Sequence, residues 1–222
     1  MSGDSIAVDA VFFDLDGTLI DSAPDLVVAM QRLRDALGEP ASDLDGVGAV
    51  VSKGGRAMLR AGFPGIEEGR VEELLPRFLD LYADAIAVHT RPYPGIEELL
   101  RGLEARAIPW GIVTNKPGRL ARVVVSELGW EARRSALVSG DCLALRKPDP
   151  EPLLHAAALS GVAANRSVYV GDDARDIEAG RRAGMRTIAV GWGYLDGDDP
   201  LAWGADHVIA EPLELLSVLR LR

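Results

Sequence analysis

Apolar residues run almost unbroken from Ile6 to Phe13, rich in Val, Ile and Phe and closed by a turn signal, which is the pattern of a buried strand. From Ser22 the rhythm becomes helical. Leu26, Val27, Met30, Leu33 and Leu37 recur at helical spacing behind Ser22 as N-cap, and Gly38 closes the segment. Two further helical stretches, around Leu44 to Arg60 and Val71 to Val88, are broken by "SKGGR" and "AGFPGIEEG". Pro76 falls inside the second and predicts a kink or a restart there. Between about Ile20 and Tyr93 no strand pattern occurs.

Beyond Tyr93 helix and strand alternate. Helix "GIEELLRGLEARA", strand "PWGIVTN", helix "PGRLARVVVSELG", strand "ALVSG" and helix "DPEPLLHAAALSG" are followed by strand "SVYVG", helix "DARDIEAGRRAG" and strand "RTIAVG". After the long loop "GYLDGDDPLAWGAD" come a short strand "HVIA" and a helix "PLELLSVLR". Such repetition predicts an α/β fold, a doubly wound parallel sheet with helices on both faces. The helical block is then an insertion after the first strand: an all-helical cap over residues 21–90, on a core made of residues 1–20 and 91–222.

Composition narrows the function. With 222 residues, 48% of them hydrophobic, the chain can fill a real core. A formal net charge of -10 works against holding a polyanion over a broad surface, so no nucleic-acid partner is expected. A compact anionic substrate can still be drawn in by a bound cation or by a few local Lys and Arg residues. Cys142 is the only cysteine, which rules out an internal disulfide or a cysteine-rich zinc site and fits the reducing cytoplasm. No apolar run approaches the ~20 residues of a membrane span, and the first ten residues have no signal-peptide pattern. A cytoplasmic protein without a membrane partner, monomeric or homodimeric, is expected.

In a doubly wound sheet ligands bind beyond the carboxyl ends of the strands. The first strand delivers Asp14 and Asp16 there. Side chains two apart in an extended segment face the same way, so these carboxylates are expected to converge, and their repulsion calls for a hard divalent cation such as Mg²⁺ between them. "IVTN" delivers Thr114 and Asn115, a hydroxyl and an amide able to hydrogen-bond phosphate oxygens; Asn115 could equally cap the helix that starts at Pro117. "LRKPDPEP" brings Lys147, a positive charge suited to a phosphoryl group or an ionised nucleophile. "VYVGDDARD" brings Asp172, with Asp176 one helical turn further on, while Asp173 reads as an N-cap.

Taken together, "DLDGT", "VTN", the lysine of "KP" and "GDDARD" resemble, in order, the four motifs of the haloacid dehalogenase-like hydrolase superfamily. The resemblance covers nearly the whole chain and implies a Rossmann-like core with a helical cap after the first strand. It further implies Asp14 as nucleophile and Mg²⁺ ligand, forming an aspartyl-phosphate that water hydrolyses. Asp16 would be the general acid and base, touching the metal through its backbone carbonyl. Thr114 and Lys147 would bind the transferring phosphoryl group, Asp172 would complete the metal site, and Asp176 would orient the metal's waters. An acid at Asp16 separates phosphatases from true dehalogenases. "DLDGTLIDSAPDL" and "RPYPGIEELL" look like the phosphoglycolate phosphatase group. "VVSKGGRAML" and "DPLAWGADHVIAEPLELL" also resemble a branch acting on N-acetylmuramic acid 6-phosphate. The expected partner is thus a small phosphorylated metabolite, phosphoglycolate first.

Lys53 and Arg56, flanking Gly54 and Gly55, either reach over the site to bind a substrate carboxylate or form an exposed basic turn. His89, His155 and His207 do not cluster, and Cys142 reads as an inert small residue. Two rivals to a hydrolase are a phosphosugar mutase and a phospho-accepting receiver domain. The receiver fits poorly, because its acceptor lies on a different strand from its acidic pair and it carries no large cap.

Overall fold

The computed structural model describes residues 6–40 and 42–220. Its strands are β1 (Ile6–Ala7), β2 (Ala10–Phe13), β3 (Ile20–Asp21), β4 (Arg91–Pro92), β5 (Trp110–Val113), β6 (Ala136–Val138), β7 (Ser167–Gly171), β8 (Arg186–Val190), β9 (His207–Ile209) and β10 (Leu219–Arg220). The helices are α1 (Ala23–Leu37), α2 (Asp45–Ala49), α3 (Gly55–Gly62), α4 (Glu68–Ala83), α5 (Ile96–Glu104), α6 (Gly118–Glu127), α7 (Glu151–Leu159), α8 (Ala174–Arg182) and α9 (Glu214–Val218).

Six strands pair in parallel in the order β6-β5-β2-β7-β8-β9. Their unbroken apolar runs are what a sheet covered on both faces requires. Alternate residues divide between two cores, as the two-residue period of a strand dictates. Val11, Phe13, Ile112, Val168 and Val170 pack on one face with Leu99 and Leu103 of α5 and Val124 of α6. Ala10, Phe12, Val113 and Tyr169 pack on the other with Leu153 of α7 and Ala179 of α8. This is the expected Rossmann-like α/β fold.

From β2 the chain builds outward through β5 and β6, then crosses back to add β7, β8 and β9 on the other side. The order therefore reverses around β2, and the crevice beyond the carboxyl ends of β5, β2 and β7 is the natural ligand site.

Helices α1 to α4 build a separate core around Met30, Leu33, Leu59, Val71, Phe78 and Tyr82, joined by Leu120 of α6. The block leaves and re-enters through β3 and β4, a two-residue antiparallel pair. The Asp25 carboxylate ties the two ends together by accepting from the backbone N–H of His89 (2.8 Å) and from the N–H and hydroxyl of Thr90 (2.9 and 2.7 Å). Hydrogen bonds to a charged acceptor are worth roughly 1.5–3 kcal/mol each, so this is a firm staple at the neck of the block.

Several element boundaries differ from expectation. The first strand is interrupted at Val8 and Asp9, and β1 pairs instead with β10, which shortens the last helix to α9. The break expected at "SKGGR" falls at Gly54, with α2 and a 3₁₀ turn before it and α3 after it. Helix α4 starts at Glu68, runs through Pro76 and ends at Ala83, short of Val88. β3 and β4 went unseen because two-residue strands carry no periodicity. Ser22 stands at the N-terminus of α1 without a side-chain cap bond, since its hydroxyl is engaged elsewhere.

Candidate active site

The strand ends meet at the switch point. Asp14, one residue past β2, is buried; its Oδ1 accepts from the backbone N–H of Leu15 (2.7 Å) and lies 2.9 Å from Lys147 Nζ. Lys147 follows β6 and is almost fully buried, with Nζ also 2.8 Å from Asp176 Oδ1 and 2.9 Å from Tyr169 Oη. Asp172, one residue past β7, accepts from the hydroxyls of Thr18 (2.9 Å) and Ser52 (2.7 Å) and from the N–H of Tyr194 (3.0 Å).

Such crowding needs room. A Cβ at Gly17, whose φ is +85°, would stand 2.1 Å from Asp172 Oδ2, and one at Gly171 would stand 2.3 Å from Asp176 Oδ2. Only glycine lets the backbone pass this close to the two carboxylates.

Ligand oxygens of Asp14, Asp172 and Asp176 all lie within 4.8 Å of one another. Burial, then the Asp14 charge, pushes Asp172 up to about 7. Burial likewise pushes Asp176 up to about 8, with Lys147 pulling the other way. Burial opposes the charge of Lys147, but Asp14 and Asp176 hold its pKa above the ordinary value. One ammonium among three buried carboxylates leaves the cluster short of positive charge. Hard oxygen donors, close spacing and a charge deficit are what a divalent cation fits, so the trio can hold a metal ion.

Asp16 faces elsewhere. The chain bends at Leu15, ending the strand alternation that would have aimed both carboxylates at one point. The Asp16 carboxylate accepts from Lys116 Nζ (2.9 and 3.2 Å) and from the Ser22 hydroxyl (2.5 Å). The carboxylate cluster thus contains Asp176 in place of the Asp16 side chain. Lys116 was absent from the sequence reading. It is buried, and its Nζ also donates to Tyr82 Oη (3.0 Å) on the helical block. Burial disfavours its charge, yet Asp16 beside it holds the ammonium well above its ordinary pKa.

Thr114 is buried past β5, and its hydroxyl accepts from the N–H of Lys116 (3.1 Å). Asn115 does not cap α6; its amide donates to the carbonyl of Lys147 (3.0 Å), tying the lysine's loop to the end of β5. Gly118 at the start of α6 is instead capped by Asp141 (2.8 Å). Asp173 caps α8 and binds the Arg175 guanidinium (2.8 Å), which also reaches the carbonyl of Ser52 (2.5 Å).

Core and helical block together line a cavity of about 460 Å³. Asp14, Asp16, Thr114 and Lys147 line its polar side, whereas Val51, Met58, Leu75 and Phe78 line an apolar side. Lys53 and Arg56 line it too, but each already has an acidic partner: Lys53 pairs with Asp196, and Arg56 with Glu72 (2.8 Å). Cys142 is exposed beside Ser139, apart from the cavity lining.

The sequence profile of haloacid dehalogenase-like hydrolases matches residues 11–190. The chain belongs to that family. It is 47% identical over 207 residues to a phosphoglycolate phosphatase of Xanthomonas campestris, covering 93% of this chain and 94% of the relative. It is equally 47% identical over 212 residues to an N-acetylmuramic acid 6-phosphate phosphatase of Pseudomonas aeruginosa, covering 95% and 94%. These relatives place it among the phosphatases of the haloacid dehalogenase-like family. A Haemophilus somnus crystal structure described as a predicted phosphoglycolate phosphatase superposes with a TM-score of 0.84 at 23% identity, covering 96% of this chain and 98% of that one; this likeness shows the fold.

Among the described residues Lys116→Met leaves the Asp16 carboxylate only the Ser22 hydroxyl, and if Lys116 positions Asp16 the substitution should lower kcat by roughly tenfold. Lys116→Arg should recover part of the loss. Steady-state kinetics showing a change confined to KM would contradict the positioning role.

Proposed function

We propose that this chain is a Mg²⁺-dependent phosphomonoester hydrolase working through an aspartyl-phosphate on Asp14, with residues 21–90 as a cap domain on a core of residues 1–20 and 91–222. The observation that carries the reading is the meeting of Asp14, Asp172, Asp176 and Lys147 at the switch point, beside a second acid, Asp16, with different neighbours.

In the first step an Asp14 oxygen attacks phosphorus as the bond to the leaving oxygen breaks, and Asp16 gives that oxygen a proton. In the second, Asp16 takes a proton from water as the water attacks phosphorus and the bond to Asp14 breaks, returning both carboxyls to their starting states. Lys147 keeps Asp14 aimed and, with the Thr114 hydroxyl, steadies the charge of the transferring group. Asp14, Asp172 and the Asp16 backbone carbonyl would hold Mg²⁺, with Asp176 behind them, and the ion would supply positive charge against the phosphoryl oxygens. Closing over the bound substrate, the cap would exclude bulk water from the site.

The substrate is a cytoplasmic phosphomonoester bearing a carboxylate, the feature shared by the two substrates in the relatives' names. Of those two, the cavity favours the larger. About 460 Å³ lies within the roughly 300–1,000 Å³ typical of pockets that bury a drug-sized ligand, and the apolar cap wall has nothing to contact on a two-carbon acid. N-acetylmuramic acid 6-phosphate offers a ring and methyl groups. Side-by-side kcat/KM on this compound, phosphoglycolate and common hexose phosphates tests the reading. The muramic acid ester should lead. A lead for phosphoglycolate would overturn the choice of substrate, and turnover of none would overturn the hydrolase.

A further inference from the structure

Among the described residues six cationic side chains line the cavity: Lys53, Arg56, Lys116, Arg146, Lys147 and Arg175. Five are already committed to carboxylates. Lys53 pairs with Asp196, Arg56 with Glu72, Lys116 with Asp16, Lys147 with Asp14 and Asp176, and Arg175 with Asp173. The sixth differs: the guanidinium of Arg146 has no hydrogen-bond, ion-pair or ring partner among the described residues, although it is exposed on a chain with ten more acidic than basic charges. Only its backbone is engaged, the carbonyl accepting from the N–H of Asp149 (2.9 Å).

We propose that Arg146 is the specificity-determining residue that binds the substrate's carboxylate. This rests on the phosphatase reading above. Arg146 immediately precedes Lys147, whose ammonium is 2.9 Å from Asp14, so the two neighbouring cations divide one substrate between them. Lys147 serves the phosphoryl end, buried and saturated by its own partners. Arg146, exposed and lining the same cavity, offers a planar fork of donors that matches a carboxylate in a bidentate pair. Engaging Lys53 or Arg56 would first require breaking an ion pair, whereas engaging Arg146 breaks none. On a chain whose net charge is -10, a guanidinium without an acidic partner is a local attractor for a small anion.

The test compares each acid with a neutral counterpart: phosphoglycolate with 2-hydroxyethyl phosphate, and N-acetylmuramic acid 6-phosphate with N-acetylglucosamine 6-phosphate. The readout is the ratio of kcat/KM, acid over neutral, for wild type, Arg146→Met, Arg146→Lys, Lys53→Met and Arg56→Met. Arg146→Met should lower the ratio for the preferred acid roughly 10- to 100-fold, the scale of a lost hydrogen bond between charged groups, with the loss in KM. Arg146→Lys should recover part of it, and the Lys53 and Arg56 variants should change it less. An unchanged ratio in Arg146→Met, an equal loss on acid and neutral esters, or a larger effect at Lys53 or Arg56 overturns the assignment. Wild-type protein that releases phosphate from none of the four esters refutes the phosphatase reading itself, and Arg146's role with it.

Discussion

Asp14→Asn is expected to reduce phosphate release by roughly 10⁴-fold or more, the scale on which removal of a covalent nucleophile acts, while the protein stays folded. The substitution is nearly isosteric. The Asn amide oxygen can still accept from the N–H of Leu15, and Lys147 keeps Asp176 at 2.8 Å and Tyr169 at 2.9 Å. Breaking one partner out of a buried ion pair usually destabilises strongly. Here the lost charge is one of three crowded carboxylates, and its removal relieves the repulsion that Asp14 exerts on Asp172 and Asp176. The metal-free variant should therefore melt at or above the wild-type temperature. Turnover near wild type would contradict the nucleophile assignment. A collapsed Tm would tie the loss of activity to folding instead.

Chelation is expected to stop turnover completely and Mg²⁺ to restore it, and the metal should register in stability with a definite pH dependence. In the metal-free protein the carboxyls of Asp172 and Asp176 sit at about 7 and about 8, above the ~3.9 of an unfolded aspartate. Folding thus takes up protons at this site. Their stabilising contribution is complete below about pH 4 and is lost as pH rises through 7 and 8. A bound cation replaces those protons. Mg²⁺ should consequently raise Tm more near pH 8 than near pH 5, and Asp172→Asn should shrink the difference. Indifference to EDTA, or a larger Mg²⁺ shift at the lower pH, would contradict the metal site.

The contrast between what could and could not be read in the chain has physical causes. Asp14, Thr114, Lys147 and Asp172 stand directly after apolar strands or in a marked loop, so local pattern and topology suffice to bring them to one crevice. Lys116 lies only two residues past Thr114 but looks like surface charge, because what buries it is Tyr82 from the helical block, 34 positions away. The divergence of Asp16 from Asp14 depends on a single bend at Leu15, invisible to a rule that treats the strand as continuing. Lys53 and Arg56 read as free cations because their partners, Asp196 and Glu72, belong to other elements. The C-terminal helix is cut short by pairing between β10 and β1, at opposite ends of the sequence. Apart from the local bend at Leu15, a contact from another element overrides a sound local reading in each case.

The stereochemical course at phosphorus tests the central claim most directly. A substrate whose phosphorothioate centre is made chiral with oxygen isotopes, hydrolysed in isotopically labelled water, reports the number of in-line displacements regardless of whether an intermediate accumulates. Attack by Asp14 followed by attack of water is two inversions, so the account predicts net retention. Net inversion would mean that water attacks the substrate directly, and would contradict an aspartyl-phosphate on Asp14.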